Sequence, residues 1–164
     1  MLRLVRHGET DWTADKRYCG TTDIALNETG RRQADGLGWI AAERHDSVWT
    51  SPLARCRETA ERIGLEARLT TALAEFDFGE LEGSRWDDLD AATRDALVEF
   101  DGFVAPGGES VRAFGERIDD FVAGLGPGRH LLVTHGGVIR HLLRRAGRDE
   151  HVAPGGVLEI DLDG

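Results

Sequence analysis

Twice in this chain a short apolar run stops abruptly at histidine and glycine. Leu2-Arg3-Leu4-Val5 ends in Arg6-His7-Gly8, and His130-Leu131-Leu132-Val133-Thr134 ends in His135-Gly136-Gly137. Runs of this length and composition read as buried strands. The glycine that follows lets the backbone turn tightly or lie close against a ligand. In an open α/β sheet, ligands bind beyond the carboxyl ends of the strands. Two such strands, parallel and adjacent, would bring both imidazoles to one edge. A neutral imidazole is a nucleophile, and a guanidinium beside it suits a phosphate. Taken alone, each motif also describes a core strand that ends in a solvated polar pair.

The rest of the chain alternates strand and helix signals. Asp11 to Asp23 reads as a polar loop. Asn27 is an N-cap, and Ala34, Leu37, Ile40 and Ala41 carry a helical stripe to about Glu43, weakened by Gly36 and Gly38. Val48 to Thr50 is a second strand. Ser51-Pro52 then reads as a helix start, with Ser51 as cap and Pro52 in the first turn, and Leu53, Cys56, Ala60 and Ile63 form its apolar face. Arg55 lies off that face, near the helix start. Leu69 to Phe78 reads as a short strand running into a loop. Residues 80–108 lack sheet-like alternation and read as a lid-like insertion, with short helices at Trp86 to Leu89 and Thr93 to Phe100. Ser110 caps a helix patterned by Val111, Phe114, Ile118, Phe121 and Leu125. Val138, Ile139, Leu142 and Leu143 mark a helix after His135, and Val157 to Leu162 alternates as a last, edge strand. This order predicts one domain over residues 1–164. Its class is three-layer α/β/α, a mostly parallel central sheet with helices on both faces and a small insertion over the site.

Composition removes several function classes. A formal net charge of −10 over 164 residues argues against nucleic-acid and anionic-membrane surfaces, which need a basic face. No leader-like segment opens the chain and no apolar run reaches transmembrane length. Cys19 and Cys56 show neither metal nor redox spacing, so a cytoplasmic protein without disulfides is expected. His130, His135 and His141 lack a helical ligand spacing, and no metal motif appears, so neither metal nor cofactor is expected. His45 and His151 read as surface residues.

Arg6, His7, Arg55 and His135 would thus converge where a helix opens with free backbone N–H groups, a setting that favours an anion. Leu4-Val5-Arg6-His7-Gly8-Glu9-Thr10, Ser51-Pro52-Leu53-Ala54-Arg55, Leu73-Ala74-Glu75 with Phe78-Gly79, Pro106-Gly107-Gly108-Glu109-Ser110 and Thr134-His135-Gly136-Gly137 follow one another along the chain. Together they resemble the histidine phosphatase superfamily in its phosphoglycerate mutase-like branch. The resemblance implies that His7 attacks phosphorus and carries it as phosphohistidine. Arg6, Arg55 and His135 would hold the phosphoryl oxygens, with Gly136 beside them, and Glu75 would protonate the leaving alcohol and then activate water. Asp77, Glu80 and Glu82 crowd the same loop, Glu82 as a glycine-flanked turn residue.

Two departures from the family pattern are Thr13, where many relatives carry asparagine, and Cys19, often polar in relatives. Thr13, Cys19, Gly20 and Thr21 are the candidate substrate contacts. The short chain and the loop Phe76-Asp77-Phe78-Gly79 with Glu82-Gly83 look more like phosphatases, including the α-ribazole phosphatases, than like mutases. Phosphomonoester hydrolysis is therefore expected ahead of cofactor-dependent phosphoglycerate mutation, and both ahead of a non-catalytic phosphate-binding protein. The expected partner is a small phosphorylated substrate, and a homodimer is compatible with the chain.

Overall fold

In a computed structural model that describes residues 1–161, five strands form one sheet. They are β1 (Leu2–Arg6), β2 (Ser47–Thr50), β3 (Arg68–Leu69), β4 (His130–Thr134) and β5 (Val157–Ile160), in the order β3-β2-β4-β1-β5. The first four run parallel, and β5 lies antiparallel on the outer edge of β1. Leu162, read from the sequence as the end of that last strand, lies outside the described residues. The expected neighbour relation holds: β1 pairs with β4 in a register that sets Arg6 opposite Thr134.

The period-two alternation of the central strands divides the core between two faces. Leu2, Leu4 and Leu132 point to one face. There they meet Phe114 and Ile118 of α5 (Val111–Ala123), and Val138, Ile139, Leu142 and Leu143 of α6 (Gly136–Arg145). Val5, Leu131 and Val133 point to the other face, where Cys56, Ala60 and Ile63 of α3 (Ala54–Ile63) cover them together with Ile40. α2 (Glu28–Asp35) packs on α3. Helices on both faces of a mostly parallel sheet make the three-layer α/β/α class. No helix among the described residues is long and apolar enough to cross a membrane.

Local structure departs from the sequence reading in three places. The stripe from Asn27 to Glu43 is two pieces: α2 ends at Asp35, and a 3₁₀ turn from Gly38 to Ala42 buries Ile40. Gly36 and Gly38, which disfavour a continuous helix, mark the break. The polar loop after β1 contains one helical turn, α1 (Asp11–Ala14), closed by reciprocal hydrogen bonds between Thr10 and Thr13. α3 begins at Ala54, and not at Pro52; the Ser51 hydroxyl accepts from the Leu53 N–H at 3.3 Å ahead of the helix and also lies 2.8 Å from His135 Nε2. Asp23 supplies the cap from another loop, its Oδ1 accepting from the Ala54 N–H at 2.7 Å.

Residues 80–108 form 3₁₀ turns at Gly79–Leu81 and Trp86–Asp88 and the helix α4 (Ala91–Glu99). Leu81, Leu89, Phe103 and Ala105 root this segment in the first face of the core, while α4 itself buries no residue.

The loop that follows β1 is fixed by backbone lying on backbone. A Cβ on Gly8 would stand 2.4 Å from the Gly30 carbonyl oxygen, and one on Gly30 would stand 2.1 Å from that of Glu9. Asn27 caps α2 through Gly30 N–H at 2.8 Å and donates from its own N–H to Glu9 O at 3.0 Å. Gly30→Ala is therefore expected to destabilise the protein by about 1–3 kcal/mol despite alanine's better helix propensity. A lower urea midpoint with an unchanged m-value checks this.

Candidate active site

The register of β1 on β4 makes the site. His7 N–H donates to Thr134 O at 2.9 Å, so the chain leaves both strands side by side, and the rings of His7 and His135 lie edge to face with centroids 5.1 Å apart. Both side chains are buried. His7 Nδ1 lies 2.7 Å from the carbonyl oxygen of Gly8. A carbonyl can only accept, so Nδ1 carries the proton and Nε2 keeps its lone pair. Gly8 N–H is itself held by the Thr59 hydroxyl at 3.1 Å, which fixes the turn behind the ring.

Burial, with the positive charge of Arg55 next, lowers the pKa of His7 to about 3 and takes that of His135 well below 6.5. Both imidazoles are therefore neutral near pH 7. His135 Nε2 lies 2.8 Å from Ser51 Oγ and 3.4 Å from Cys56 Sγ. Burial pushes the Cys56 thiol far above its ordinary value, which makes it an uncharged packing partner.

Arg55 is 1% exposed, where an arginine off the apolar face would ordinarily be solvated. Its guanidinium donates to Gly20 O at 2.6 Å and Thr22 O at 3.0 Å. Arg6 donates to Val152 O at 2.6 Å, and its buried Nε has no hydrogen-bond partner among the described residues. Burial lowers the Arg6 pKa, with the carboxylate of Glu75 opposing that shift. Among the described residues neither arginine forms a carboxylate ion pair. A buried and a half-buried cation beside a neutral lone pair suit an anion.

Glu75 is 8% exposed and rests on the start of α6. Gly137 N–H donates to its Oε2 and Phe76 N–H to its Oε1, both at 2.9 Å. A Cβ on Gly137 would stand 2.3 Å from Oε1, so the glycine admits the carboxylate. One of the helix-start donors expected to face a ligand is thus engaged by Glu75. A Cβ on Gly136 would approach Arg6 Cζ to 3.1 Å, so that glycine makes room for the guanidinium.

Arg6, His7, Glu75 and Gly136 line a cavity of about 770 Å³, to which Thr13 and Cys19 also contribute. The Thr13 hydroxyl is engaged, donating to Thr10 O at 2.9 Å. Arg55, His135, Gly20 and Thr21 do not line the cavity; Arg55 and His135 are buried behind it. Gly20 supports Arg55 through its carbonyl, and Thr21 is exposed, its N–H donating to Glu82 Oε1 at 2.8 Å. Outward, the cavity has an aromatic and aliphatic wall from Tyr18, Phe78, Trp86, Leu97 and Phe100. It faces Arg140 and Arg144, both paired with Asp149. His151, read as a surface residue, is exposed at this rim, while His45 is half-buried. No group of three or more histidine, cysteine, aspartate or glutamate side chains able to hold a metal ion occurs among the described residues.

Two residues carry more than the sequence reading assigned them. Ser51, read as a helix cap, holds His135. Glu82, read as a turn residue, accepts from the backbone N–H groups of Thr21 and Thr22, each at 2.8 Å, and from the Thr22 hydroxyl, so it clamps the loop whose carbonyls hold Arg55. The pairing of a glycine-flanked carboxylate with a threonine pair 60 residues away leaves no local pattern.

The family model of the histidine phosphatase superfamily (branch 1) matches residues 2–156. An acid phosphatase of Mycobacterium tuberculosis (strain ATCC 25618 / H37Rv) is 36% identical over 152 residues, 88% of this chain and 74% of that protein. A probable phosphoglycerate mutase, GpmB, of Cronobacter sakazakii (strain ATCC BAA-894) is 40% identical over 147 residues, 81% of this chain and 68% of that protein. A crystal structure of phosphoglycerate mutase from Thermus thermophilus superposes with a TM-score of 0.91 at 44% identity, covering 99% of this chain and 93% of that one.

The neutral histidines have a consequence for stability. His7 titrates near 6.5 when unfolded and at about 3 when folded, so between those values the unfolded chain binds more protons. Its contribution is intact above pH 6.5 and is lost as pH falls toward 3. His7→Asn removes that term. The variant's loss of unfolding free energy between pH 7 and pH 5, followed by urea titration, is expected to be about 2 kcal/mol smaller than the parent's.

Proposed function

Because this chain belongs to the histidine phosphatase superfamily (branch 1), we propose that it hydrolyses phosphomonoesters of a small metabolite through a phosphohistidine at His7, without a metal ion. The observation that carries this reading is the buried Arg55 and the half-buried Arg6, both free of carboxylate partners among the described residues, beside an imidazole kept neutral with Nε2 unprotonated. Nε2 attacks phosphorus as the bond to the leaving oxygen breaks, and Glu75 gives that oxygen its proton. Glu75, now a carboxylate, takes a proton from water. The water oxygen attacks phosphorus, the Nε2–P bond breaks, and inorganic phosphate leaves. Arg6 at the cavity wall, with Arg55 and His135 buried beside His7, would hold the phosphoryl oxygens, where charge must be stabilised in both steps. Arg55 has five N–H donors and uses one from each of its two NH2 groups on backbone carbonyls, so donor capacity remains for the phosphoryl group.

Hydrolysis is favoured over mutation by the outer cavity. A mutase must exclude water during transfer, whereas this cavity of about 770 Å³ has room for water beside a small ester. Its outer cations are each paired with a carboxylate, Arg17 with Asp15 and Arg140 and Arg144 with Asp149, which leaves a poor seat for the carboxylate of a phosphoglycerate. The aromatic and aliphatic wall suits an apolar or aromatic leaving group, and α-ribazole phosphate is one substrate of that description. Residues 80–108 supply Trp86, Leu97 and Phe100 to this wall, consistent with a lid over the site. A cytoplasmic setting accords with the free thiols of Cys19 and Cys56.

In buffer containing a chelator, the protein is expected to hydrolyse p-nitrophenyl phosphate with inhibition by vanadate. His7→Ala should fall to the background rate, and Arg6→Ala should lose about 10²–10³-fold in kcat. A panel of α-ribazole phosphate, sugar phosphates and phosphoglycerates, read as released phosphate, ranks the substrates. Isomerisation of 3-phosphoglycerate with little hydrolysis would make it a mutase, and equal background from parent and His7→Ala would make it a non-catalytic binder.

A further inference from the structure

We propose that the ion pair of Glu109 and Arg117 is a positioning device that holds Glu75 where its proton reaches the departing oxygen. The inference rests on the reading of Glu75 as the proton donor. Glu75 belongs to no strand or helix: it lies between the 3₁₀ turns at Thr71–Leu73 and Gly79–Leu81. Such a stretch has no regular hydrogen-bond ladder to fix it, yet proton transfer demands placement within a fraction of an ångström.

The fixing bonds come from one guanidinium on α5. Arg117 Nε and Nη2 bind the two oxygens of Glu109 at 2.8 and 3.1 Å, a bidentate pair. The outer N–H groups then reach back to the loop: Nη1 donates to Ala72 O at 2.7 Å and Nη2 to Glu75 O at 3.1 Å. Glu109 closes the other side, its Oε2 accepting from Asp77 N–H at 3.3 Å and its own N–H donating to Asp77 O at 2.9 Å. The carbonyl of Glu75 and the N–H of Asp77 are therefore gripped by the two members of one pair, and Phe76 spans the gap between them. The guanidinium also lies over the Phe114 ring at 4.8 Å, so its plane is set by the core. The two side chains are only 25% and 16% exposed. Neither residue lines the cavity, so neither touches substrate. Lysine offers no planar fork and cannot reproduce this arrangement.

The test is leaving-group dependence. In the first step the Nε2–P bond forms, the P–O bond breaks, and the proton passes from the Glu75 carboxyl to the leaving oxygen. p-Nitrophenolate departs without that proton, whereas the alkoxide of benzyl phosphate requires it. Both esters present an aromatic ring to the same wall, and kcat/KM reports this step for each. Glu75→Gln, the reference, is expected to lower kcat/KM for benzyl phosphate far more than for p-nitrophenyl phosphate. Arg117→Met and Arg117→Lys should reproduce that bias, reducing kcat/KM for benzyl phosphate by about 10–100-fold and for the p-nitrophenyl ester by only a few-fold. A purely structural role lowers both esters equally and overturns the proposal. If Glu75→Gln shows no bias, the assignment of Glu75 as donor fails. If Glu75→Gln shows it and the Arg117 variants do not, the donor stands and the positioning role fails. Should the methionine variant not fold, the lysine variant decides.

Discussion

Positive charge held away from water without a carboxylate partner governs this molecule. Burying a guanidinium is costly unless something compensates, and here the compensation within the chain is made of backbone. Gly20 and Thr22 carbonyls take the Arg55 N–H groups and Val152 O takes one from Arg6. Dipoles of carbonyls satisfy the donors but do not neutralise the charge, so the field persists at the mouth of β1 and β4. That field, after burial itself, keeps His7 unprotonated. A carboxylate in ion-pair contact with Arg55 would quench it, and the imidazole would be easier to protonate and a poorer nucleophile. The loop carrying Gly20 and Thr22 is consequently part of the electrostatics, and the clamp of Glu82 on Thr21 and Thr22 holds it in place.

Close backbone approach is the second requirement, and it explains glycines that otherwise look like weak points. The anion receptor is only as wide as two strand ends, so its neighbours must come in without side chains. Gly8 and Gly30 let the loop after β1 lie directly on α2, and Gly137 lets the Glu75 carboxylate sit on the first turn of α6. The last contact redirects the helix start. Its Gly137 N–H group serves the acid, and the acid is thereby oriented by the helix whose N-cap is the second histidine.

The main strands and the strand ends that carry the two histidines were legible because each is written locally, whereas the sheet order comes from the structure. An apolar run, its sudden end and a glycine suffice to imply a buried strand that delivers a side chain to the sheet edge. What stayed hidden was decided by residues far apart in the chain. The late start of α3 goes with Asp23 capping Ala54 across 31 residues, and Ser51 is shared between the Leu53 N–H and His135, 84 residues away. The burial of Arg55 depends on a loop over 30 residues earlier. The helical pattern placed Arg55 off the apolar face and was right about the face. It carried no information about the loop that covers the guanidinium. Glu82 and Thr13 show the converse, since polar residues in a loop looked free and their hydrogen bonds are internal.

This difference also separates chemistry from specificity. The residues proposed for phosphoryl transfer stand at the ends of core strands, on α3 or against α6, and an added methyl group at Gly8 meets backbone. The outer wall rises from α4, which buries no residue, and from the turn at Trp86, which is 40% exposed. Substitution there meets solvent and few packing partners, so leaving-group preference can drift while the receptor for the anion stays fixed. Relatives named as phosphatases and as mutases on one framework are what that division produces. A carboxylate-bearing substrate needs an unpaired cation in the outer wall, and here Asp149 holds Arg140 and Arg144 while Asp15 holds Arg17. On the proposed mechanism the same two strand ends can therefore serve hydrolysis or isomerisation, depending on what the outer wall lets approach His7 next.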